Sequence, residues 1–347
     1  MQQARISKAA FLAGLWFALA TTAQAQNYSR TEVITYSDNT AKWVLGQVAT
    51  VSIDGTQVAG TDYDATYALP IKTYSFGKLQ NTLGYYTDGT LATVKDGRNN
   101  VTTLSSWKRG IPQGVQHPDG TSEAAFVNDN GWITSATDEN TYTTNYTYDP
   151  MGRLASIAYP TADNVAWNTT TQVFAPVAAT EYGIPSGHWK KTVSTGNARK
   201  VTYFDALWRP LVTEQFDNAD AANTRSISVT RYDADGHPAY QSYPLNTLSS
   251  YATPTQGTRT TYDPLDRVTR VEQDSELGIL ASTWVYQSGF KTLATNPRGF
   301  QTTSSYLTYD QPSTDWPIAI THPEGANTDI ARDAFGKPMQ ITRGAAP

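Results

Sequence analysis

The chain contains no cysteine and has few charged residues. With no cysteine among its 347 residues it can form no disulfide, and zinc sites built on thiolates are excluded. Charged residues make up 16% of the chain, against a typical share of about 25%, and the formal net charge is −5. A nucleic-acid surface would need clustered lysine and arginine. The composition therefore predicts a protein without a nucleic-acid partner.

The apolar run near the N-terminus is too short to cross a membrane. Residues 9–20 form this run of twelve, whereas a membrane-spanning helix needs roughly 20 apolar residues. Arg5 and Lys8 precede the run, and Ala23-Gln24-Ala25 places small residues where a signal peptidase reads the chain. Residues 1–25 therefore predict a signal peptide cleaved after its last alanine, and a protein that is secreted or displayed at the cell surface without a transmembrane segment.

Aromatic and β-branched residues are abundant. The chain has 21 tyrosines and 9 tryptophans, and threonine recurs throughout. These residue types suit a pleated, half-buried surface and are mediocre in helices. The composition predicts an all-β fold.

One short pattern occurs five times, and it begins with Asp after an aromatic or basic residue. The five copies are YDPMGRL at 148–154, FDALWRP at 204–210, YDADGHP at 232–238, YDPLDRV at 262–268 and RDAFGKP at 332–338. A repeated unit cannot bury its apolar face alone, so repeats predict an array in which neighbours pack together.

The pattern has the chemistry of a hairpin turn. In Asp149-Pro150-Met151-Gly152, Asp, Pro and Gly occupy the positions that a type I turn prefers. Strand-like alternation precedes each turn, and a basic residue follows it. Where Trp208 and Asp266 replace Gly, we expect a turn that does not require positive φ. The predicted turn-forming residues are Asp149, Gly152, Arg153, Asp205, Arg209, Asp233, Gly236, Asp263, Arg267, Asp333 and Gly336.

The pattern resembles the YD repeat of the Rhs family of bacterial wall-associated and polymorphic-toxin proteins, to which animal teneurins are related. Residues 148–154 match the family motif Tyr-Asp-x-x-Gly-Arg-Leu at every fixed position, and Ile157 and Pro160 follow. The resemblance implies hairpin repeats that form a curved, spiralling antiparallel sheet, as in a hollow shell. The chain stops soon after the fifth copy, at Pro347, so we expect a partial shell, a truncated reading frame or a fragment, with further repeats of a longer Rhs chain among its partners.

Three regions are expected. Residues 1–25 are the signal peptide, residues 26–70 form an N-terminal β cap, and residues 71–347 form the repeat array. The cap is predicted from the strand-like segment 43–53 followed by Asp54-Gly55, a hairpin signal. Degenerate units are expected near 167–173 and 284–309, where the spacing between copies is long.

The chain has no recognisable catalytic motif. It lacks His-Glu-x-x-His, Gly-x-Ser-x-Gly, a phosphate-binding glycine loop and a dinucleotide fingerprint. The tetrads at 117–120 (His-Pro-Asp-Gly) and 322–325 (His-Pro-Glu-Gly) could be paired metal or acid–base sites, but their repetition favours turns, because a catalytic residue is needed only once. We therefore predict a non-enzymatic protein with no cofactor and no metal.

The tryptophans allow two interpretations. Exposed aromatic faces stack on sugars, which would make the protein a carbohydrate- or cell-wall-binding adhesin; alternatively, the same rings fill a single-layer sheet that has no second sheet to pack on. The candidates for glycan stacking are Trp107, Trp132, Trp167, Trp189 and Trp284.

Overall fold

The residues that the structure describes fold as β-structure almost throughout, and the predicted all-β fold is confirmed. The computed structural model describes residues 28–161, 164–309 and 312–345. Within these residues there are 26 strands and a single four-residue helix, α1 (Ala221–Thr224). No helix of the described residues has the length and apolar character needed to span a membrane. The predicted signal peptide lies outside the described residues.

The strands follow one another along the chain. The first thirteen are β1 (Glu32–Asn39), β2 (Val44–Ile53), β3 (Thr56–Tyr63), β4 (Pro70–Ser75), β5 (Lys78–Tyr85), β6 (Leu91–Asp96), β7 (Val101–Ser105), β8 (Gly114–Gln116), β9 (Ser122–Val127), β10 (Ile133–Thr137), β11 (Thr143–Tyr148), β12 (Leu154–Ala158) and β13 (Thr170–Pro176). The others are β14 (Trp189–Thr195), β15 (Ala198–Phe204), β16 (Pro210–Asp217), β17 (Ser226–Tyr232), β18 (Pro238–Ser242), β19 (Gly257–Tyr262), β20 (Val268–Ser275), β21 (Gly278–Gln287), β22 (Lys291–Thr295), β23 (Gln301–Tyr306), β24 (Pro317–Thr321), β25 (Ala326–Arg332) and β26 (Pro338–Ala345).

Every strand pairs antiparallel with the next strand in the chain, so the protein is one long meandering ribbon. The 26 strands belong to a single sheet. Because strand direction alternates, the connections lie on two rims. We call the rim where odd-numbered strands lead into even-numbered ones the upper rim, and the opposite one the lower rim. All five Asp turns of the sequence pattern lie on the upper rim, after β11, β15, β17, β19 and β25.

The sheet continues through the predicted boundary between cap and array. Pro70 begins β4, which pairs with β3 on one side and with β5 on the other. The division at Pro70 thus falls within a continuous ladder of hydrogen bonds, and it remains a prediction about where the repeats begin.

Two long connections cover one face of the sheet and create a local core. The segment 177–188 leaves the upper rim and the segment 243–256 leaves the lower rim, and they meet where Tyr251 N–H donates to Tyr182 C=O at 2.8 Å. Ile184 of the first connection packs there against buried residues of the central strands: Val201, Tyr203, Leu211, Val212, Ile227 and Val229. Elsewhere the sheet is one layer thick, which explains why many of its apolar side chains are only half-buried.

A buried carboxylate lies in this core. Glu214 is 5% exposed and accepts hydrogen bonds from the hydroxyls of Tyr203 (2.7 Å) and Tyr182 (2.9 Å). Burial and the neighbouring Glu214 carboxylate raise the pKa of Tyr182 to about 12 and also raise the pKa of Tyr203. Arg225 Nε lies 3.6 Å from the carboxylate. Since a buried charge needs partners, the two hydroxyls and this cation keep Glu214 inside the fold.

The ribbon winds round until its two ends touch. Arg30, just before β1, lies 4.9 Å from the ring centroid of Tyr309, which follows β23. Phe76, in the turn after β4, packs edge-on against Phe335, in the turn after β25, with ring centroids 5.4 Å apart. Lys337 Nζ lies 5.7 Å from the ring centroid of Phe76. We call this set of contacts the seam.

The seam joins opposite rims. Phe76 lies on the lower rim, whereas Phe335 lies on the upper rim. A flat ring would bring the strand edges of β1 and β26 together, but each of these strands pairs only with its chain neighbour within the described residues. The ribbon is therefore wound as a helical turn, in which the last strands are displaced along the helix axis from the first, and the expected spiral is confirmed.

Candidate functional site

The Asp turns share one hydrogen-bond arrangement, which Asp149 illustrates. Its Oδ1 accepts hydrogen bonds from the backbone N–H groups of Met151 and Arg153, both at 2.9 Å. Arg153 Nε donates to Asp149 Oδ2 at 2.6 Å, and Gly152 N–H donates to Asp149 C=O at 2.9 Å. Both carboxylate oxygens are therefore used to hold the turn and to fix the cation that follows it.

The other four copies keep this arrangement with small changes. Asp205 and Asp263 make the same bonds, and the Nε groups of Arg209 and Arg267 lie 2.7 and 2.8 Å from their Oδ2 atoms. At Asp233 a histidine takes the place of the arginine, and its Nδ1 lies 3.2 Å from Oδ2. At Asp333 the carboxylate accepts the N–H groups of the second and fourth residues after it. Each carboxylate thus serves its own turn.

These bonds lower the pKa of four turn carboxylates, those of Asp149, Asp205, Asp233 and Asp263. At Asp149 the backbone N–H of Arg153 contributes most to holding the pKa below its usual value. At Asp263 the Arg267 side chain contributes most. At Asp205 burial alone would raise the pKa, but the N–H donors and the Arg209 guanidinium outweigh it. Hydrogen bonds to the charged form favour ionisation, so these turns are built around carboxylates.

Seven further turns with the same backbone bonds occur in the described residues, and sequence reasoning did not identify them as copies. In each, the C=O of the first residue accepts a hydrogen bond from the N–H of the fourth, and the N–H of the first residue donates to the C=O of the fifth. The first residues are Tyr86, Asp96, His117, Asn128, Asp138, Asn296 and His322. The signal available in the sequence was the glycine at the fourth position, which five of the seven carry.

The fourth residue of the turn adopts positive φ even where it is not glycine. Gly152 and Gly236 have φ of 79° and 96°, and Trp208 and Asp266 have φ of 65° and 63°. The prediction that these two residues avoid positive φ is wrong, because the backbone bonds impose the same geometry in every copy. A side chain in this conformation costs about 1 kcal/mol. At Trp208, stacking on Trp189 at a centroid distance of 5.2 Å offsets that cost.

In four of the five turns the residue that follows the turn stacks on an aromatic ring of a later strand, whereas Lys337 of the fifth turn lies near Phe76 in the seam. The Arg209 guanidinium lies 4.5 Å from the ring centroid of Tyr232, and that of Arg267 lies 4.0 Å from Tyr286. His237 lies 4.7 Å from Tyr262 in the same way. We call this upper-rim series the ladder. Its members are Arg153, Phe174, Trp189, Trp208, Arg209, Tyr232, His237, Tyr262, Arg267 and Tyr286.

The tyrosine hydroxyls complete the connection between neighbouring units. Tyr232 Oη donates to Pro210 C=O at 3.0 Å, and Tyr262 Oη donates to Pro238 C=O at 3.1 Å. Each acceptor directly follows the residue, Arg209 or His237, that lies on the ring of the same tyrosine. The Tyr-Asp pair therefore has two roles: Asp shapes its own turn, while Tyr holds the preceding one.

Two tryptophans, Trp132 and Trp316, lie directly against the glycine at the fourth position of an Asp turn. A Cβ built on Gly152 would lie 2.8 Å from Cζ2 of Trp132, and one built on Gly336 would lie still closer to Trp316. Trp132 also packs against Tyr148 with ring centroids 5.2 Å apart. At these turns glycine is needed for space as well as for its backbone conformation.

The five tryptophans considered for glycan stacking lie in different surroundings. Trp107 is half-buried and its Nε1 donates to Leu91 C=O at 2.8 Å. Trp132 packs under Gly152, Trp189 lies within the ladder, and Trp284 is half-buried on β21. Trp167 is 59% exposed, with its ring centroid 6.2 Å from that of Tyr159. The structure does not bring the five together, and the role in glycan binding stays a prediction.

The geometry defines a class of protein: a β-hairpin repeat ribbon that is wound into a helical turn and held along one rim by Asp turns and stacked rings. The sequence comparison matches one segment of the chain to a known repeat. Residues 127–163 match the family model of the RHS Repeat. This segment spans β10, β11 and β12 with the Asp149 turn. The chain therefore carries the RHS repeat, and the resemblance predicted from the five Asp turns is confirmed.

One solved structure shares the fold at the level that supports a comparison. The crystal structure of TcdB2-TccC3 aligns over 89% of this chain and 17% of that chain, at 16% sequence identity and a TM-score of 0.50. The crystal structure of TcdB2-TccC3-TEV aligns over 90% of this chain and 25% of that chain, at 12% identity and a TM-score of 0.49. The fold comparison rests on the first of these. A search of curated proteins gave no match.

Proposed function

We propose that this protein is an exported, non-enzymatic structural component of an Rhs-type system, and that its wound ribbon forms part of a shell wall. The seam is the observation that supports this proposal most strongly. A ribbon whose lower rim meets its own upper rim after one turn encloses space with a single layer of sheet. Further repeats of a longer Rhs chain are the natural partners of the uncovered rims, because they would carry the same turns.

The composition of the rims fits a structural role. The turn carboxylates are occupied by local backbone and cation partners, so they are not arranged as an acid–base pair in a pocket. The stacked side chains of the ladder tie neighbouring hairpins together between Arg153 and Tyr286. Such ties favour a stiff wall over a surface that changes shape on binding.

Export and wall formation can be tested separately. Expression of the full-length chain in a bacterial host should yield an extracytoplasmic product whose N-terminal residue is Gln26, as read by mass spectrometry. Cryo-electron microscopy of that product should show a curved single-layer wall. An uncleaved cytoplasmic product would contradict the export part, and a compact particle without a curved wall would contradict the shell part.

A second candidate function is carbohydrate binding at the aromatic part of the ladder. Trp208 is 53% exposed and stacks on Trp189 and Phe174, so it presents a ring face of the kind that sugars contact. A glycan array probed with the purified protein tests this function. Binding that is lost in Trp208→Ala and kept in Trp43→Ala, a control residue that is 80% exposed, would support it. An array without signal, or binding that is unaffected by Trp208→Ala, would rule it out.

A further inference from the structure

Three side chains with metal-ligating atoms converge on the lower rim. His117 belongs to the turn after β8, Glu123 lies on β9, and Glu139 belongs to the turn after β10. His117 Nε2 lies 3.3 Å from Glu123 Oε1 and 3.8 Å from Glu139 Oε1. The three ligand atoms all lie within 4.8 Å of one another. Residues from two different hairpins thus meet at one point.

We propose that His117, Glu123 and Glu139 form a binding site for a divalent transition-metal ion, best suited to Zn²⁺. Zn²⁺ binds imidazole nitrogen and carboxylate oxygen at about 2.0–2.2 Å in a tetrahedral arrangement, so two of its ligands stand about 3.3–3.6 Å apart. The His117–Glu123 separation already has this value. Three protein ligands leave a fourth position for water. Ca²⁺ would require six to eight oxygen ligands, which this set does not offer.

The second His-Pro-x-Gly turn shows that the turn itself does not require these carboxylates. His117 and His322 begin turns with the same backbone bonds. Six residues after His322 stands Thr328, whose Oγ1 lies 3.1 Å from His322 Nε2, where His117 has Glu123. The two turns therefore fold alike, but only the first gathers two carboxylates around its imidazole.

The carboxylate of Glu139 has no role in its own turn. That turn is formed by Asp138, whose Oδ1 accepts the N–H groups of Asn140 and Tyr142. In the turn of His117, it is the Asp119 carboxylate that accepts hydrogen bonds from the N–H and the hydroxyl of Thr121. The two glutamates place negative charge next to each other, and a bound cation would neutralise it and would link neighbouring lower-rim hairpins.

Another group with three possible ligands, Asp233, Asp235 and His237, is less suitable. Asp233 there accepts two backbone N–H groups, and the two nitrogens of His237 face Asp233 Oδ2 and Asp266 Oδ1, each at 3.2 Å. This histidine is a member of the ladder, so binding a metal would require it to leave its turn. The group around His237 therefore serves as a comparison for the proposed site.

Calorimetric titration of ZnCl₂ into the purified full-length protein tests the proposal. We expect one Zn²⁺ to bind per chain and the melting temperature to rise with Zn²⁺ concentration, because an ion that binds the folded state stabilises it. His117→Ala and Glu139→Gln should each weaken binding by more than about tenfold, since loss of even an outer-shell partner costs about 10–100-fold. Glu123→Thr, which copies the second turn, should do the same.

Two variants separate this site from other histidines. His322→Ala and His237→Ala should bind Zn²⁺ as the unmodified protein does, and circular dichroism should show that every variant is folded. The proposal is overturned if millimolar Zn²⁺ gives neither heat nor a rise in melting temperature. It is also overturned if binding survives His117→Ala, or if binding disappears in His237→Ala.

Discussion

The guanidinium of Arg209 lies between two hairpins: its Nε donates to Asp205 Oδ2 at 2.7 Å, and its carbon lies 4.5 Å from the ring centroid of Tyr232. One side chain thus bonds to its own turn and stacks on the aromatic residue that opens the next one. The same relationship recurs at Arg267. It gives the repeat a physical reason to conserve its order of aromatic, Asp and cation along the ribbon.

Arg209→Ala should reduce the free energy of unfolding by about 1–2 kcal/mol, because it removes a charge-assisted hydrogen bond and a cation–π contact together. Urea denaturation followed by tryptophan fluorescence measures the change. Arg199→Ala is the matched control, since its guanidinium bonds only to backbone carbonyls of its own turn. Equal effects of the two substitutions would show that the stacked arginine has no special role.

Asp205→Ala should cost about 1 kcal/mol, the usual effect of losing a side chain that caps local backbone N–H groups. Leu207→Ala lies in the same turn, at a residue that is 70% exposed, and should change stability little. The measurement is again chemical denaturation. A loss at Leu207 as large as that at Asp205 would mean that the turn is held by its apex and not by its carboxylate.

The depressed pKa values of Asp149, Asp205 and Asp263 give the protein an acid sensitivity. Because each pKa is lower in the folded state than in the unfolded chain, the contribution to stability is complete above the unfolded value of about 3.9 and is lost as pH falls through the folded value. The free energy of unfolding should therefore decrease when the pH is lowered below about 4. The double variant Asp205→Asn/Asp263→Asn should show a shallower acid slope, and an unchanged slope would contradict this account.

Gly152→Ala and Gly120→Ala separate backbone strain from steric overlap. Both glycines have positive φ, but a Cβ on Gly120 would meet nothing within 4 Å, whereas one on Gly152 would overlap Trp132. Gly120→Ala should cost about 1 kcal/mol, the price of the backbone conformation. Gly152→Ala should cost clearly more, as measured by thermal or urea unfolding. Equal costs would mean that Trp132 moves aside freely.

The local features could be predicted from the sequence, whereas the long-range ones could not. Asp149-Pro150-Met151-Gly152 carries its turn in its own chemistry, and five such turns predict hairpins. Trp208 misled the prediction because stacking on Trp189, a residue of another strand, makes positive φ acceptable there. The turns at Asn128 and Asn296 lack the Asp on which the pattern was defined.

The contacts between distant segments had no signal in the sequence. Tyr182 meets Tyr251 because two long connections from opposite rims fold over the same face of the sheet. Phe76 meets Phe335 because small twists between neighbouring strands accumulate over most of the ribbon. Such contacts depend on the sum of many strand geometries, and no local pattern reports that sum.

The covered core predicts an alkaline signature. Tyr182 has a pKa of about 12, and that of Tyr203 is also raised, through burial and the Glu214 carboxylate. For an acid whose folded pKa is raised, stability is complete below the unfolded value of about 10 and is lost as pH rises through the folded value. Ultraviolet titration of tyrosine should therefore show a late fraction, which should titrate at a lower pH in Glu214→Ala, and this substitution should reduce the free energy of unfolding by about 2–3 kcal/mol. A single transition near the ordinary value would contradict the buried network.

The central claim is that the ribbon winds through one helical turn and meets itself at the seam. The chain has no cysteine, so the double variant Phe76→Cys/Phe335→Cys carries only the two engineered thiols. A short bifunctional maleimide should crosslink them within one chain at low protein concentration, as seen by a gel shift and by mass spectrometry of the linked peptides. The control pair Phe76→Cys/Leu207→Cys, whose second thiol lies midway along the upper rim, should react without forming an intrachain link. Failure of the first pair to crosslink while both thiols remain reactive, or equal crosslinking of the two pairs, would contradict the wound ribbon.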